Sequence, residues 1–136
     1  MTPLATPLRG RCLCGAVTFE VDPPLNWTGH CHCESCRRQT SSPMTSFFGV
    51  NTERARWTGA APAVYVSSPG VSRMFCANCG APMAYHSEAF AHETHFYVAS
   101  LEDPRVLAPD QHFHYGEKLP WLEIGDHLIK HHAGAG

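Results

Sequence analysis

The stretch Val64-Tyr65-Val66-Ser67-Ser68-Pro69-Gly70-Val71-Ser72-Arg73-Met74-Phe75-Cys76-Ala77-Asn78-Cys79 decides the fold class. Val64 to Ser67 and Val71 to Cys76 flank Ser68-Pro69-Gly70, where proline presets φ and glycine tolerates left-handed backbone. The stretch reads as a hairpin whose second arm delivers Cys76 to a C-x-x-C loop. The same pattern extends outward. Ala16 to Val21 sets Val17, Phe19 and Val21 against Thr18 and Glu20, then stops at Asp22-Pro23-Pro24, as a half-buried strand would. Thr45 to Val50, Met83 to His86, His95 to Ala99 and Gln111 to Tyr115 are further candidate strands. In the last, His112 and His114 would share one face. The one helix-like opening is Asn51-Thr52-Glu53, with Asn51 capping a short turn towards Trp57. The expectation is a mainly β domain of short antiparallel sheets whose strand ends carry cysteine loops.

The 136 residues suit one domain, expected over residues 1–136, with a core at 10–125 and flexible termini. The closing His131-His132-Ala133-Gly134-Ala135-Gly136 reads as a disordered tail. A hydrophobic content of 43% supplies a core and excludes global disorder. Ten basic against twelve acidic residues leave a net charge of −2, so no bulk positive field gathers nucleic acid or anionic lipid. Neither nucleic acid nor membrane is an expected partner. Met1 to Arg11 carries no apolar signal-peptide core, and nothing approaches the ~18 apolar residues of a membrane helix. A soluble, cytoplasmic protein is expected, where thiols persist as thiols or metal ligands.

Seven cysteines fall into three groups: Cys12 and Cys14, then Cys31, Cys33 and Cys36, then Cys76 and Cys79. Thiolates two or three residues apart in a tight turn aim at one point, as tetrahedral zinc requires. The economical division is four plus three: a closed site from the two pairs, and a central site one ligand short. Structural zinc fills four positions with protein groups, whereas catalytic zinc keeps three and leaves one open. Other divisions remain open at this point. Cys31 and Cys33 pair with Cys76 and Cys79 in one, leaving Cys12 and Cys14 with Cys36. In another, His30, His32 or a remote histidine completes a structural Cys₃His site. Disulfides are a third, although seven thiols cannot all pair internally. If Cys31 and Cys33 both face a metal from extended backbone, His32 points the other way, and His30 shares its parity.

The pattern resembles the glutathione-dependent formaldehyde-activating enzyme family, which includes centromere protein V. The resemblance is carried by Gly10-Arg11-Cys12-Leu13-Cys14-Gly15-Ala16-Val17, by Gly29-His30-Cys31-His32-Cys33-Glu34-Ser35-Cys36-Arg37-Arg38, and by Arg73-Met74-Phe75-Cys76-Ala77-Asn78-Cys79-Gly80. A weaker match is Lys118-Leu119-Pro120-Trp121. After the central motif this chain reads Gln39-Thr40-Ser41-Ser42-Pro43, where family members often carry a glycine-containing loop. The resemblance implies a β-tent fold with two zinc ions per chain. Cys12, Cys14, Cys76 and Cys79 would hold the structural zinc; Cys31, Cys33 and Cys36 would hold the catalytic one. It also implies a carbon–sulfur lyase that adds glutathione, or a similar small thiol, to formaldehyde or another small aldehyde. The product would be S-(hydroxymethyl)glutathione.

A free thiol of pKa about 8.5 is only a few per cent ionised at pH 7, so coordination that removes its proton raises the reactive population roughly thirtyfold. Three cysteinates leave a zinc complex at −1, a poor water activator that suits a sulfur nucleophile. Arg37 and Arg38 are candidates to meet the carboxylates of a glutathione-like thiol, against the reading as solvated loop arginines. Glu34 would either move a proton or cap loop amides. Phe47, Phe48, Trp57 and Trp121 would wall a pocket or fill the core. The rival function is a non-catalytic, zinc-stapled binding module.

Overall fold

The computed structural model describes residues 6–134; positions 1–5 and 135–136, the last two of the expected tail, lie outside the described residues. In chain order the elements are β1 (Leu8–Arg11), β2 (Thr18–Val21), β3 (Trp27–Cys31), α1 (Glu34–Thr40), β4 (Thr45–Asn51), β5 (Ala55–Trp57), β6 (Ala63–Ser68), β7 (Val71–Phe75), β8 (Pro82–Ser87), β9 (Glu93–Tyr97), β10 (Gln111–Phe113) and β11 (Ile129–Lys130). A three-stranded sheet runs β1-β2-β5, and an eight-stranded sheet runs β11-β10-β3-β4-β9-β8-β7-β6. The chain is mainly β, as the sequence predicts. Its sheets are not wholly antiparallel, because β10 pairs in parallel with both β3 and β11. Among the described residues no helix is long and apolar enough to cross a membrane.

Alternation gives the large sheet two working faces. Phe48, Phe96, Ala84 and Met74 lie in register across β4, β9, β8 and β7 and face the small sheet. There Phe19 of β2 stacks on Phe96 at 4.5 Å and meets Trp57 of β5 edge-on. Phe19, Val21, Phe48, Val50 and Met83 are fully buried in this core. The opposite face carries Cys31, Phe47, Tyr97, Tyr85 and Arg73 across β3, β4, β9, β8 and β7. The short helix α1 lies against it.

Three expectations need correction, and one element was not foreseen. Asn51 does precede a short helical turn, the 3-10 turn Thr52–Arg54, but its side chain makes no capping bond and the turn stops short of Trp57, because residues 55–57 pair with β2. The α-helix forms instead at Glu34–Thr40, over the central cysteine motif. His112 and His114 do not share a strand face, since β10 ends at Phe113 and His114 adopts left-handed backbone, φ 53°. The end of the chain is not loose through residue 134: β11 pairs with β10, and Tyr115, Gly116 and His114 donate backbone hydrogen bonds to His131, His132 and Ala133.

Candidate functional site

Two turns of similar construction assemble the first cysteine cluster. After β1 the chain folds back so that the Cys12 amide donates to the Val17 carbonyl at 3.0 Å, and Gly15, at φ +83°, donates to the Cys12 carbonyl. After β7, the Cys76 amide donates to the Ala81 carbonyl at 2.9 Å, and Gly80, at φ +79°, donates to the Cys76 carbonyl. Each glycine follows the last cysteine of its pair and takes backbone that a side chain resists. Amides point inward at the sulfurs: Val17 donates to Cys12 Sγ at 3.3 Å and Cys79 to Cys76 Sγ at 3.4 Å. The Asn78 side-chain amide donates to Cys14 Sγ at 3.3 Å. Backbone amides of Ala81 and Cys14 hold the Cys79 thiol down, at about 6. Sulfur separations of 3.6 Å for Cys12 to Cys14 and 3.7 Å for Cys14 to Cys76 sit beside the ~3.8 Å edge of a tetrahedron built on ~2.3 Å zinc–sulfur bonds. All four sulfurs lie within 4.8 Å of one another, so the donor set fits a tetrathiolate metal.

The second cluster forms where β3 meets α1. Cys31 ends β3, Cys33 is the N-cap of α1 with its sulfur accepting from the Cys36 amide at 3.3 Å, and Cys36 is buried in the first turn. Their three sulfurs also lie within 4.8 Å of one another. Arg73 of β7, only 4% exposed, aims Nη1 at Cys36 Sγ at 3.8 Å, donates Nε to Ser67 Oγ, and lies 5.1 Å from the Tyr85 ring centre. Hydrogen bonds from Cys31 and Cys33 hold the Cys36 thiol down at about 3 against burial, with the Arg73 charge assisting. The same neighbours push Cys31 up. Arg73 thus sets a buried positive charge opposite the Cys36 sulfur. Phe47 and Tyr97, with ring centres 4.4 Å apart, pack on Cys31 and Cys36, and Trp27 and Tyr85 close the surround. The Tyr97 hydroxyl is buried beside the Arg73 guanidinium, and nothing among the described residues accepts its proton. Burial pushes its phenol up, so it keeps its proton at neutral pH. An open cavity of 560 Å³ is bordered by Cys12 and Leu13 on one side and by Thr40, Thr45 and Tyr97 on the other.

The chain thus gathers its thiols as four and three, all unpaired by disulfides. Neither His30 nor His32 joins the three. His30 Nδ1 pairs with Ser46 Oγ, while His32 Nε2 meets His112 Nδ1 at 2.9 Å and His112 Nε2 meets Asp126 at 2.8 Å. Burial, with His112 beside it, depresses His32 to about 4, so it stays neutral. Arg37 donates to the His32 carbonyl, and Arg38, with its side chain 78% exposed, pairs with Glu34. Glu34 caps no loop amide; its own amide donates to Glu117. Phe48 and Trp57 belong to the core, Trp121 is exposed, and Lys118 clasps the carbonyls of Leu119 and Leu122. Arg73 and Tyr97 escape a reading of the sequence. For Arg73 the available signal was a lone charge inside an apolar strand leading to Cys76.

Comparison with known proteins agrees with this geometry. A sequence profile of the glutathione-dependent formaldehyde-activating enzyme matches residues 7–117. An uncharacterised lyase of Schizosaccharomyces pombe is 33% identical over 79 residues, which are 56% of this chain and 55% of that protein. The chain thus spans about half the length of that curated relative. The crystal structure of a Rhodobacter sphaeroides protein superposes with a TM-score of 0.61 at 25% identity, covering 74% of this chain and 95% of that one. The profile match takes in both cysteine clusters, Arg73 and Tyr97, and the chain belongs to the glutathione-dependent formaldehyde-activating enzyme family.

Proposed function

We propose that the protein is a zinc-dependent carbon–sulfur lyase that joins a small thiol such as glutathione to a small aldehyde, formaldehyde first, and cleaves the adduct in reverse. The observation that carries this reading is the unequal gathering of thiols, four in one cluster and three in the other, with a buried arginine facing the three. Cys12, Cys14, Cys76 and Cys79 would hold a structural zinc, and Cys31, Cys33 and Cys36 the reactive one. Soft thiolate donors at these separations suit zinc. When bound by three thiolates, zinc supplies an open position at which a guest thiol gives up its proton.

The chain's own groups do the rest. Arg73 stands across from Cys36 and offsets the charge that an added thiolate brings. Phe47, Tyr97, Trp27 and Tyr85 exclude water from one side of the thiols, so the sulfur nucleophile is less solvated than in bulk. Holding thiol and aldehyde together in that surround contributes several kcal/mol, more than the ~2 kcal/mol from ionisation alone. A reducing cytoplasmic setting, which keeps all seven thiols free, is part of the proposal. Arg37 and Arg38 stay candidates for the carboxylates of the incoming thiol.

Exchange spectroscopy on formaldehyde and glutathione tests the reaction. The wild-type protein should speed interconversion with the adduct well above a Cys31→Ser control; equal rates remove this substrate pair. Sulfur coordination measured at each metal tests the rival. Four protein ligands at the second metal would return the chain to a binding module.

A further inference from the structure

We propose that the Tyr97 hydroxyl is a catalytic group that donates a hydrogen bond to the substrate oxygen, the one on the carbon that becomes bonded to sulfur. The three-cysteine site would then recognise sulfur ligands bearing oxygen on the adjacent carbon, the class that includes hemithioacetals and thiocarboxylates. The inference rests on the thiol-adduct reading for its substrate, but its binding chemistry can be tested without turnover.

Three observations support it. Tyr97 is only 7% exposed, yet nothing among the described residues accepts its hydroxyl proton; the one polar side chain beside its oxygen, Arg73, carries donors alone. Buried hydroxyls are seldom left so, because the lost hydration is then uncompensated. The side chain is also fixed in place. Tyr97 pairs with Phe47 across β9 and β4, its ring packs on Phe47, and both belong to the cluster that contains Cys31 and Cys36. Finally, the charged and ring-nitrogen groups nearest these thiols are largely engaged elsewhere. Arg73 is engaged by Cys36, Ser67 and the Tyr85 ring, while His30 and His32 bond on the far side of β3. Phe47 and Trp27 offer no donor there, since the Trp27 indole is bound to Glu93. Tyr97 is a buried donor beside the sulfurs whose proton has no acceptor.

The balance of the addition explains why a donor is needed. The thiol sulfur forms the new S–C bond, and the carbonyl π pair moves onto oxygen. The proton that the thiol gave up returns to that oxygen through solvent and completes the hydroxyl. Tyr97 keeps its own proton and holds the oxygen while charge grows on it, as a donor placed in advance does in a site shielded from water. Cleavage runs the same steps backwards.

The test compares two sulfur probes on cobalt(II)-loaded protein, whose thiolate charge-transfer bands report an added sulfur. Thioacetate carries oxygen on the carbon bonded to sulfur; ethanethiol carries none. Tyr97→Phe should weaken thioacetate on the order of 10- to 100-fold, the range for a hydrogen bond to a charged acceptor, and leave ethanethiol within about twofold. Equal weakening of both probes, or of neither, overturns the inference. Isotope-edited infrared spectra of thioacetate on the wild-type protein give a readout that needs no variant. The bound carbonyl band should fall below that of a cobalt thioacetate complex lacking a donor, and an unshifted band overturns the assignment. Wild-type protein that binds thioacetate in this way but does not speed glutathione addition to formaldehyde would sink the proposed reaction and leave the oxygen contact standing. Protein that takes neither probe would sink both.

Discussion

Ser41 closes α1 with left-handed backbone, φ 53° and ψ 35°, a conformation that costs an L side chain and that glycine takes freely. Ser41→Gly should therefore stabilise the protein by about 1 kcal/mol, read as a higher urea midpoint at unchanged slope. Arg73 predicts the opposite sign. Its guanidinium is buried against a thiolate, a hydroxyl and an aromatic ring, so Arg73→Met leaves the Cys36 charge unanswered. The loss should be about 2–4 kcal/mol in urea unfolding, with weaker uptake of an added thiol. At this scale the cysteines were legible in the sequence because each pair or triplet is local, and a short turn suffices to aim its sulfurs. Tyr97 was not. Its place beside Cys31 and Cys36 comes from strand register, which a single chain does not display.

Among the elements, the two glycine-ended turns after β1 and β7 have one task, to bring four sulfurs within bonding distance of one point. Chelation should remove the order they create, since structural zinc contributes ~10–16 kcal/mol of apparent binding energy in small domains. Circular dichroism after chelator treatment should show loss of sheet, and a native spectrum in metal-free protein would contradict a structural role. The hairpin of β6 and β7 was readable from its Ser-Pro-Gly turn and flanking apolar runs. The helix α1 was not, for a physical reason. Glu34-Ser35-Cys36-Arg37-Arg38-Gln39-Thr40 buries only Cys36, so no apolar stripe marks it. Its start is fixed by the Cys33 cap and the three-thiol cluster. Asn51 was legible in part: a 3-10 turn does follow it, but the turn ends at Arg54 because residues 55–57 gain more by pairing with β2 and setting Trp57 on Phe19.

Across the whole molecule, class was legible and order was not. Alternation revealed strands, but the parallel pairing of β10 with β3 joins segments distant in sequence, and β11 is too short and exposed to announce itself. That closure seals His112, which is fully buried, beneath Asp126. The His112 hydrogen bond holds the Asp126 carboxyl at about 2, below the ordinary value near ~4. The unfolded chain binds this proton first as pH falls, so the contribution is complete above ~4 and lost as pH drops through about 2. Asp126→Asn should flatten the dependence of the urea midpoint on pH across that window while lowering stability at neutral pH.

One strand ties the two cysteine clusters together: β7 holds Arg73 against Cys36 and, only Met74 and Phe75 later, hands the chain to Cys76. If the four-cysteine cluster holds a metal as proposed, an oxidant that strips it should act as a fuse for the three-cysteine site. Loss of Cys76 from that cluster should fray the end of β7 and draw the Arg73 guanidinium away from Cys36 before the aromatic core around Phe19 and Phe96 comes apart. Stepwise peroxide treatment should extinguish thiol uptake in proportion to release of the first metal, ahead of any loss of Trp57 fluorescence order.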